Sequence, residues 1–504
     1  MPPAAPTLTV TDRPAAELRV DALVVPIHAA PGGAALAPGH GLPRRASAHL
    51  SSAIASLRLT GALEELTRLA AVPGVAATTV VLAGLGDDSG RSFDPEAVRR
   101  GIGAATRSLS GRARVAVCVP GGSTPASVAA AAEGAGLGGY AVTGRRGSST
   151  APAAVGAVTI VSGSARDPAV RRAVRRASSL AAATAYCRDL VNTPPNLLYP
   201  QTFVGSVRDR ARGTAVTVRV MDEKALARGG FGGIIGVGQG SVRPPRIATM
   251  SYSPVGAAAS IAFVGKGITF DSGGLCIKSP AAMRTMKQDM SGAAAVAAAV
   301  LAIAELGVPV AVTGYLALAE NMPGANAQRP GDVVTMRGGT TVEIVDTDAE
   351  GRMVLGDALA LASEKRPGAI VDIATLTGAQ QVALGNRIGA VMANDDALRD
   401  TVRAAADEAG EALWPMPLPE QLRDGMESQV ADLAHKGDRM GGMLRAGLFL
   451  GEFVGVVNGQ RIPWAHLDIA GPAFNASPAH GYTPTGGTGF GVRLLVRLAE
   501  TYAG

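Results

Sequence analysis

The stretch IAFVGKGITFDSGG, residues 261–274, decides the class of fold. It begins with a short apolar run, Ile261–Val264, that is typical of a buried strand. Lys266 and Asp271 follow that run and precede a pair of glycines. Charged groups therefore stand where a strand leaves its sheet, and in α/β proteins this edge is where sites are built. The stretch predicts an α/β protein with its site at the strand ends.

The chain around this stretch alternates strand-like and helix-like segments, which is typical of an α/β domain. From about Thr214 onward, strands are predicted at Ile261–Val264, Val310–Leu318, Val342–Val345 and Ile370–Ile373. Helices are predicted at Gly292–Leu306, Arg352–Glu364 and Ala397–Glu408. We expect a mixed central sheet flanked by helices.

A similar alternation fills the first 165 residues and predicts a separate α/β domain. Strands are predicted at Leu18–His28, Thr78–Leu85, Val115–Pro120 and Val155–Val161, and helices at Pro95–Leu109 and Pro125–Ala135. The segment Gly144–Pro152 is predicted to be an exposed loop. A long helix over Asp167–Val191 follows, and NTPPN at residues 192–196 ends it. We therefore divide the chain into a basic N-terminal domain (1–166), a connecting helix (167–192) and a C-terminal catalytic domain (193–504).

The most apolar stretch, Gly292–Ala319, is interrupted by Glu305, Gly307 and Pro309. The apolar run before Glu305 has about twelve residues, fewer than the roughly 20 that span a bilayer. The pattern predicts a buried helix followed by a buried strand, and no membrane partner.

Composition narrows the class of protein further. Hydrophobic residues make up 47% of the 504 residues and charged residues 17%, which excludes intrinsic disorder and suits a large core. Three cysteines exclude a disulfide scaffold, and no CxxC or Cys/His zinc spacing is present. The N-terminal residues lack a basic segment followed by an apolar one, so we expect no signal peptide and a cytoplasmic protein.

Charge is unevenly distributed along the chain. Residues 1–180 carry 19 Lys and Arg against 11 Asp and Glu, whereas the remainder carries 28 against 30. Such asymmetry can mark a nucleic-acid surface. An Arg-rich solvated face is the simpler interpretation, because no nucleic-acid-binding motif accompanies the charge.

The chemistry-bearing candidates are carboxylates, two lysines and one arginine at strand exits or helix entries. They are Lys266, Asp271, Lys278, Asp289, Asp346, Asp348, Glu350 and Arg352. No HExxH helix, GxSxG elbow or Walker A loop is present. Massed carboxylates must be paired with cations. Residue types alone leave open a divalent metal site, a structural ion-pair cluster and a calcium loop.

The calcium interpretation rests on residues 346–351, which together with Asp357 at position twelve nearly fit an EF-hand loop. Two features count against it. A β-type run, TTVEIV, precedes the loop where a helix should enter, and Asp357 replaces the bidentate Glu.

Several blocks resemble the leucyl aminopeptidase (cytosol aminopeptidase) family of dinuclear metallopeptidases. They are VGKGITFDSGG, IKSPAAMRTMKQDMSGAAAV, DTDAEGR, RDLVNTPPN, VDIATLTGA and HLDIAGPA, and their order and spacing follow the family. The resemblance covers roughly residues 180–500, and the basic N-terminal region is compatible with the family's variable first domain by position only.

The resemblance implies a set of site residues. Two divalent metal ions, Mn²⁺ or Zn²⁺, would be held by Lys266, Asp271, Asp289, Asp348 and Glu350. Lys266 would bind as a neutral amine, and a water between the metals would be the nucleophile. Lys278 would stabilise the oxyanion, and Arg352 would hold a bicarbonate ion as general base.

The resemblance also implies a substrate and an assembly. The substrates would be short peptides with Leu or another apolar N-terminal residue, and the protein would be a homohexamer. The side-chain pocket would be lined by Met286, Thr375, Gly378, Ala470 and Ala473. One departure is Asp346, where the family commonly has Asn; it would either raise metal affinity or serve as a turn residue. The alternative function is a nucleic-acid-binding regulator that retains the peptidase fold.

Overall fold

The computed structural model describes residues 5–87, 93–142 and 153–503, which form two compact units. The first unit comprises Met1–Asp189 and Asn475–Thr485, and the second comprises Leu190–Phe474 and Gly486–Gly504. Most of the predicted connecting helix belongs to the first unit, and no pattern in the sequence indicated that residues 475–485 join it. The predicted loop Gly144–Pro152 lies outside the described residues.

The first unit is an α/β sheet flanked by helices. Its strands are β1 (Thr7–Thr11), β2 (Ala22–Ala30), β3 (Gly33–Leu36), β4 (Leu66–Ala70), β5 (Thr79–Asp87), β6 (Arg114–Cys118) and β7 (Ala157–Val161). Its helices are α1 (Arg44–Ser56), α2 (Pro95–Ser108), α3 (Pro125–Gly138) and α4 (Pro168–Asn192), the last ending in the second unit. The sheet order is β1-β7-β6-β2-β5-β4, with β3 paired to β2.

The second unit contains the larger sheet. Its strands are β8 (Thr217–Met221), β9 (Arg246–Tyr252), β10 (Ser260–Asp271), β11 (Ala311–Asn321), β12 (Val333–Thr335), β13 (Thr341–Glu343), β14 (Ala369–Ala374), β15 (Gly389–Ala393), β16 (Leu413–Pro415), β17 (Leu433–Ala434), β18 (Val456–Val457), β19 (Gln460–Arg461), β20 (Trp464–Asp468), β21 (Phe474–Asn475, ending in the first unit) and β22 (Gly486–Gly487). Its helices are α5 (Pro200–Ala211), α6 (Glu223–Arg228), α7 (Gly232–Gly238), α8 (Pro280–Met283), α9 (Ser291–Leu306), α10 (Glu350–Ser363), α11 (Gly378–Leu384), α12 (Asp396–Ala409), α13 (Gly442–Gly451) and α14 (Val492–Tyr502).

Eight strands form the central sheet of the second unit, in the order β16-β15-β20-β14-β10-β11-β9-β8. The middle strands β20, β14, β10 and β11 are parallel to one another, whereas β9 and β15 run antiparallel to their neighbours β11 and β20. The predicted mixed sheet with flanking helices is therefore confirmed.

The Ala-rich helix α9 packs directly on the sheet because glycines allow close approach. A Cβ atom at Gly265 would lie 2.5 Å from Cα of Ala293, and one at Gly292 would lie 2.1 Å from the carbonyl oxygen of Ile373. The window Met286–Leu306 is long and apolar enough to cross a membrane, yet 78% of it is buried inside the protein. The predicted buried helix and buried strand are confirmed as α9 and β11.

Parallel strands bring their carboxyl ends to one edge of the sheet. Asp271 ends β10, Asn321 ends β11 and Asp468 ends β20, while Thr375 directly follows β14. Helices α9 and α10 begin two residues after Asp289 and Asp348, respectively. The fold therefore gathers residues that are far apart in sequence.

Candidate metal centre

Lys266 lies in β10 and faces two carboxylates. Its Nζ is 2.8 Å from Oδ2 of Asp289 and 2.9 Å from Oε1 of Glu350, and it donates to the carbonyl oxygen of Thr375 at 2.9 Å. All these side chains are buried. Gly351 makes room for the lysine, because a Cβ atom there would lie 2.7 Å from Nζ.

Lys278 lies between two further carboxylates. Its Nζ is 2.8 Å from Oδ2 of Asp271 and 2.5 Å from Oδ1 of Asp348. The chain turns sharply between Asp271 and Lys278 through Gly273 and Gly274, whose φ angles of +88° and +64° favour glycine. This explains the glycine pair that follows the strand in the sequence.

Asn321 and Thr375 orient two carboxylates of this centre. Neither residue was predicted to belong to it. Asn321 donates from Nδ2 to Oδ1 of Asp271 at 2.8 Å, and the hydroxyl of Thr375 donates to Oδ1 of Asp289 at 2.8 Å. Asn321 is not among the residues predicted to form the site, although it lies just beyond a predicted strand. Thr375 was predicted to line the substrate pocket.

The donor set suits divalent cations. Ligand oxygens of Asp271, Asp348 and Glu350 all lie within 4.8 Å of one another. Oε2 of Glu350 is buried, and none of the residues that the structure describes donates a hydrogen bond to it. Burial and the neighbouring Glu350 raise the pKa of Asp271 to about 6, and burial raises the pKa of Asp289 well above its ordinary range. Two lysine ammonium groups do not balance the four carboxylates. The centre therefore retains negative charge that divalent cations would neutralise.

The surroundings of Lys266 favour its protonated form. Burial disfavours the ammonium, but the carboxylates of Asp289 and Glu350 outweigh it and raise the pKa of Lys266 above its ordinary value. A lysine binds a metal only as a neutral amine, so metal binding here requires loss of that proton.

Arg352 lies in the first turn of α10 and is buried. Its Nη1 donates to the carbonyl oxygen of His435 at 2.7 Å, while its Nε has no hydrogen-bond partner. Burial lowers the pKa of Arg352 to about 10. A buried guanidinium with an unused donor at a helix N-terminus is suited to hold a small anion.

Asp346 points away from the carboxylate set. Its Oδ1 accepts a hydrogen bond from the backbone N–H of Asp348 at 2.9 Å, and its Oδ2 pairs with Lys436. Of the two interpretations of this departure, the geometry matches the turn residue.

Two buried histidines were also missed by the sequence analysis. His435 accepts from Val345 N–H through Nδ1 at 3.1 Å, so its Nε2 donates to the carbonyl oxygen of Asp346 at 2.8 Å. Burial and Arg352 lower the pKa of His435 to about 4. Nδ1 of His466 lies 2.6 Å from Oδ1 of Asp372. His435 lies in none of the quoted motifs, and His466 begins HLDIAGPA but was given no role there, so only their spatial neighbours reveal these contacts.

Several of the five residues predicted to form the substrate pocket lie close in the chain to these strand ends or to Asp289. Met286 begins the 3₁₀ turn Met286–Gln288 just before Asp289, and Gly378 begins α11. The backbone N–H of Ala470 donates to Asp468 at 3.2 Å, and Ala473 is buried. The pocket itself stays a prediction.

The fold and this centre define an α/β protein with a lysine- and carboxylate-rich site of the metallohydrolase kind. Comparison with known proteins then gives the particular family. The catalytic-domain model of the cytosol aminopeptidase family matches residues 185–496, and the N-terminal-domain model of that family matches residues 24–147. The chain belongs to the cytosol aminopeptidase family and is a metal-dependent aminopeptidase, a hydrolase.

Curated relatives match the chain over nearly its whole length. A probable cytosol aminopeptidase of Streptomyces griseus is 50% identical over 98% of both chains. One from Micrococcus luteus is also 50% identical over 98% of both chains.

Two solved structures also resemble the chain over nearly its whole length. The bottromycin maturation enzyme BotP in complex with Mn is 36% identical and superposes with a TM-score of 0.83, covering 96% of this chain and 100% of its own. A mutant of tomato leucine aminopeptidase is 28% identical with a TM-score of 0.85, covering 98% of this chain and 96% of its own.

Proposed function

We propose that this protein removes apolar N-terminal residues, Leu foremost, from short peptides in the cytoplasm. The observation that carries the proposal is the cluster of two lysines and four carboxylates at the sheet edge, in which Lys266, Asp271, Asp289 and Glu350 are buried. The cytosol aminopeptidase name of the relatives supports the compartment, and the name of the tomato enzyme supports the Leu preference.

The residues proposed to hold two divalent cations are Lys266, Asp271, Asp289, Asp348 and Glu350. The manganese in the BotP structure supports Mn²⁺, and Zn²⁺ is the other candidate. Two such cations would supply Lewis-acid chemistry, polarising the scissile carbonyl and acidifying a water. Asn321 and Thr375 orient two of the carboxylates, which reduces the cost of assembling the site.

Lys278 is the proposed oxyanion donor. Its ammonium lies between Asp271 and Asp348, two of the proposed metal ligands. The carboxylates raise the pKa of Lys278 although burial opposes this, which keeps the side chain cationic. A cation in a buried site stabilises developing negative charge strongly.

Arg352 is the proposed holder of bicarbonate, which would serve as the general base. Its buried, unused Nε and its place in the first turn of α10 support this role. In degassed buffer, bicarbonate should accelerate the wild type, whereas Arg352→Ala should be slow and lose most of that response with its metals bound. Equal activation of both proteins would place the anion elsewhere.

The proposed pocket for the N-terminal side chain is lined by Met286, Thr375, Gly378, Ala470 and Ala473. Two small alanines leave room for a Leu or Met side chain. A homohexamer is the proposed assembly, and it rests on the family resemblance.

Metal removal tests the function as a whole. Hydrolysis of a Leu-anilide should disappear after chelation and return when Mn²⁺ or Zn²⁺ is added. Elemental analysis must show that the stripped protein holds no metal. Full activity of that stripped protein would refute the metal centre.

The alternative, a nucleic-acid-binding regulator, draws on exposed arginines of α4, namely Arg171, Arg172 and Arg175. Phosphate contacts would make duplex-DNA binding fall steeply with salt. Absence of such binding in dilute salt would remove this candidate.

A further inference from the structure

The segment Leu433–Lys436 lies against the loop that carries Asp348 and Glu350. Strand β17 pairs in parallel with β13, and the backbone N–H of His435 extends this pairing by donating to the carbonyl oxygen of Glu343 at 3.2 Å. The segment therefore reaches the beginning of the loop, although it lies about ninety residues further along the chain.

His435 contacts both the beginning of the loop and the helix that follows it. Its ring accepts from Val345 and donates to the carbonyl oxygen of Asp346, while its own carbonyl oxygen accepts from Arg352 at 2.7 Å. These contacts fix the backbone that leads into Lys436.

Lys436 pairs with Oδ2 of Asp346. The other oxygen of Asp346 accepts from the backbone N–H of Asp348 at 2.9 Å, so the carboxylate links Lys436 to a proposed metal ligand. The side chains of Lys436 and Asp346 are 40% and 22% exposed, so both are accessible yet partly enclosed. An Asn at position 346 would still cap Asp348 but would not pair with an ammonium.

We propose that Lys436 is a positioning residue: through Asp346 it holds the loop so that Asp348 and Glu350 face the metal site. Its effect on metal binding rests on the proposed function, but its effect on the loop does not. A competing account is that Lys436 acts only as a distant charge. That account makes the opposite prediction for Lys436→Met below.

The test uses Lys436→Met, which removes the charge at similar length, and Lys436→Arg, which keeps it. Asp346→Asn removes the pair from the other side, and the double variant Asp346→Asn/Lys436→Met removes both partners. Lys365→Met is the matched control, because Lys365 is exposed and follows the far end of α10. Amide hydrogen exchange of residues 343–352 is measured in metal-free protein, Mn²⁺ affinity by spin-resonance titration, and kcat and KM with a Leu-anilide.

Lys436→Met and Asp346→Asn should each speed exchange of the loop and weaken Mn²⁺ binding by about tenfold, the scale of losing a partner that orients a ligand. The double variant should bind Mn²⁺ no more weakly than the single variant with the lower Mn²⁺ affinity, because both single variants already lose the same interaction. Lys436→Arg and Lys365→Met should match the wild type. Loss of kcat should exceed the change in KM.

A pure charge effect would tighten Mn²⁺ binding in Lys436→Met and weaken it in Asp346→Asn, and that pattern would overturn the proposal. Unchanged loop exchange in both single variants would overturn it as well. Wild-type protein that binds neither Mn²⁺ nor Zn²⁺ would refute the proposed metal centre instead, while the exchange result would still decide the role of Lys436.

Discussion

Two largely buried clusters of charged side chains, one from each compact unit, differ in how their charges balance. In the first unit, Glu133 accepts from Nε of Arg99 at 2.7 Å and from Nη1 of Arg176 at 2.9 Å, so both of its oxygens are paired. In the second unit, Lys266 and Lys278 face four carboxylates, and Oε2 of Glu350 has no partner. Side chains of both charges thus form a paired network in the first unit and an acidic, incompletely paired centre in the second.

The difference shows that residue type alone does not decide whether charged side chains form a structural ion-pair network or a metal site. A carboxylate whose oxygens are both paired needs no further ligand, whereas a cluster with more carboxylates than cations retains negative charge at high energetic cost. The raised pKa of Asp271 and of Asp289 expresses that cost. We expect the first cluster to act on stability and the second on metal binding and catalysis.

Glu350→Ala gives the largest expected effect. The variant should lose at least one metal ion and nearly all turnover while remaining folded, because no nearby group replaces the ligand. Metal content by elemental analysis, circular dichroism and Leu-anilide hydrolysis measure this. Two metals per subunit at the wild-type rate would contradict the assignment.

Lys278→Ala should lower kcat by about 10²–10³, the scale of losing one oxyanion donor. KM should change much less, because the lost interaction forms in the transition state. Steady-state kinetics at saturating Mn²⁺ separate the two constants. A raised KM with unchanged kcat would make Lys278 a substrate anchor instead.

Glu133→Gln should affect stability and leave kcat unchanged. It removes the shared partner of Arg99 and Arg176, and breaking a buried ion pair costs about 3 kcal/mol. Denaturant unfolding gives the free energy of unfolding, with the conservative Glu133→Asp as a comparison. A loss of metal or of kcat in folded Glu133→Gln would erase the contrast between the two clusters.

Proton release on metal binding is the smallest expected effect. Lys266 is an ammonium without metal and must become a neutral amine to bind one, so about one proton per subunit should leave from it. Because protons compete with metal at this site, apparent affinity should rise with pH. Calorimetry in two buffers of different ionisation enthalpy counts the protons. Identical heats in both buffers would remove Lys266 from the ligand set.

The class of fold and the members of the centre were within reach of the sequence because strong local patterns mark them. The mixed sheet was predicted correctly, and Asp271 does end its strand. The predicted strand end at Val264 was wrong, because β10 continues to Asp271 and Lys266 lies within it. The roles of these residues, the pocket and the domain limits stay predictions.

Other features left no local mark. Asn321, His435 and Lys436 act through partners that lie 26 to 92 residues away in the chain. Residues 475–485 likewise belong to the first unit although they are distant from its other residues in the chain. Periodicity and motif spacing report on neighbours in sequence, so they carry no information about such contacts.

The sequence by itself determined which residues can bear charge at the ends of strands, because strand length, glycine turns and helix starts are local properties. Only the tertiary structure decided how those charges pair. It placed Lys266 between Asp289 and Glu350, turned Asp346 towards Lys436, and left one oxygen of Glu350 without a partner. The physical reason is that pairing depends on distances of a few ångströms between distant segments, and those distances are fixed when parallel strands align their carboxyl ends in one sheet.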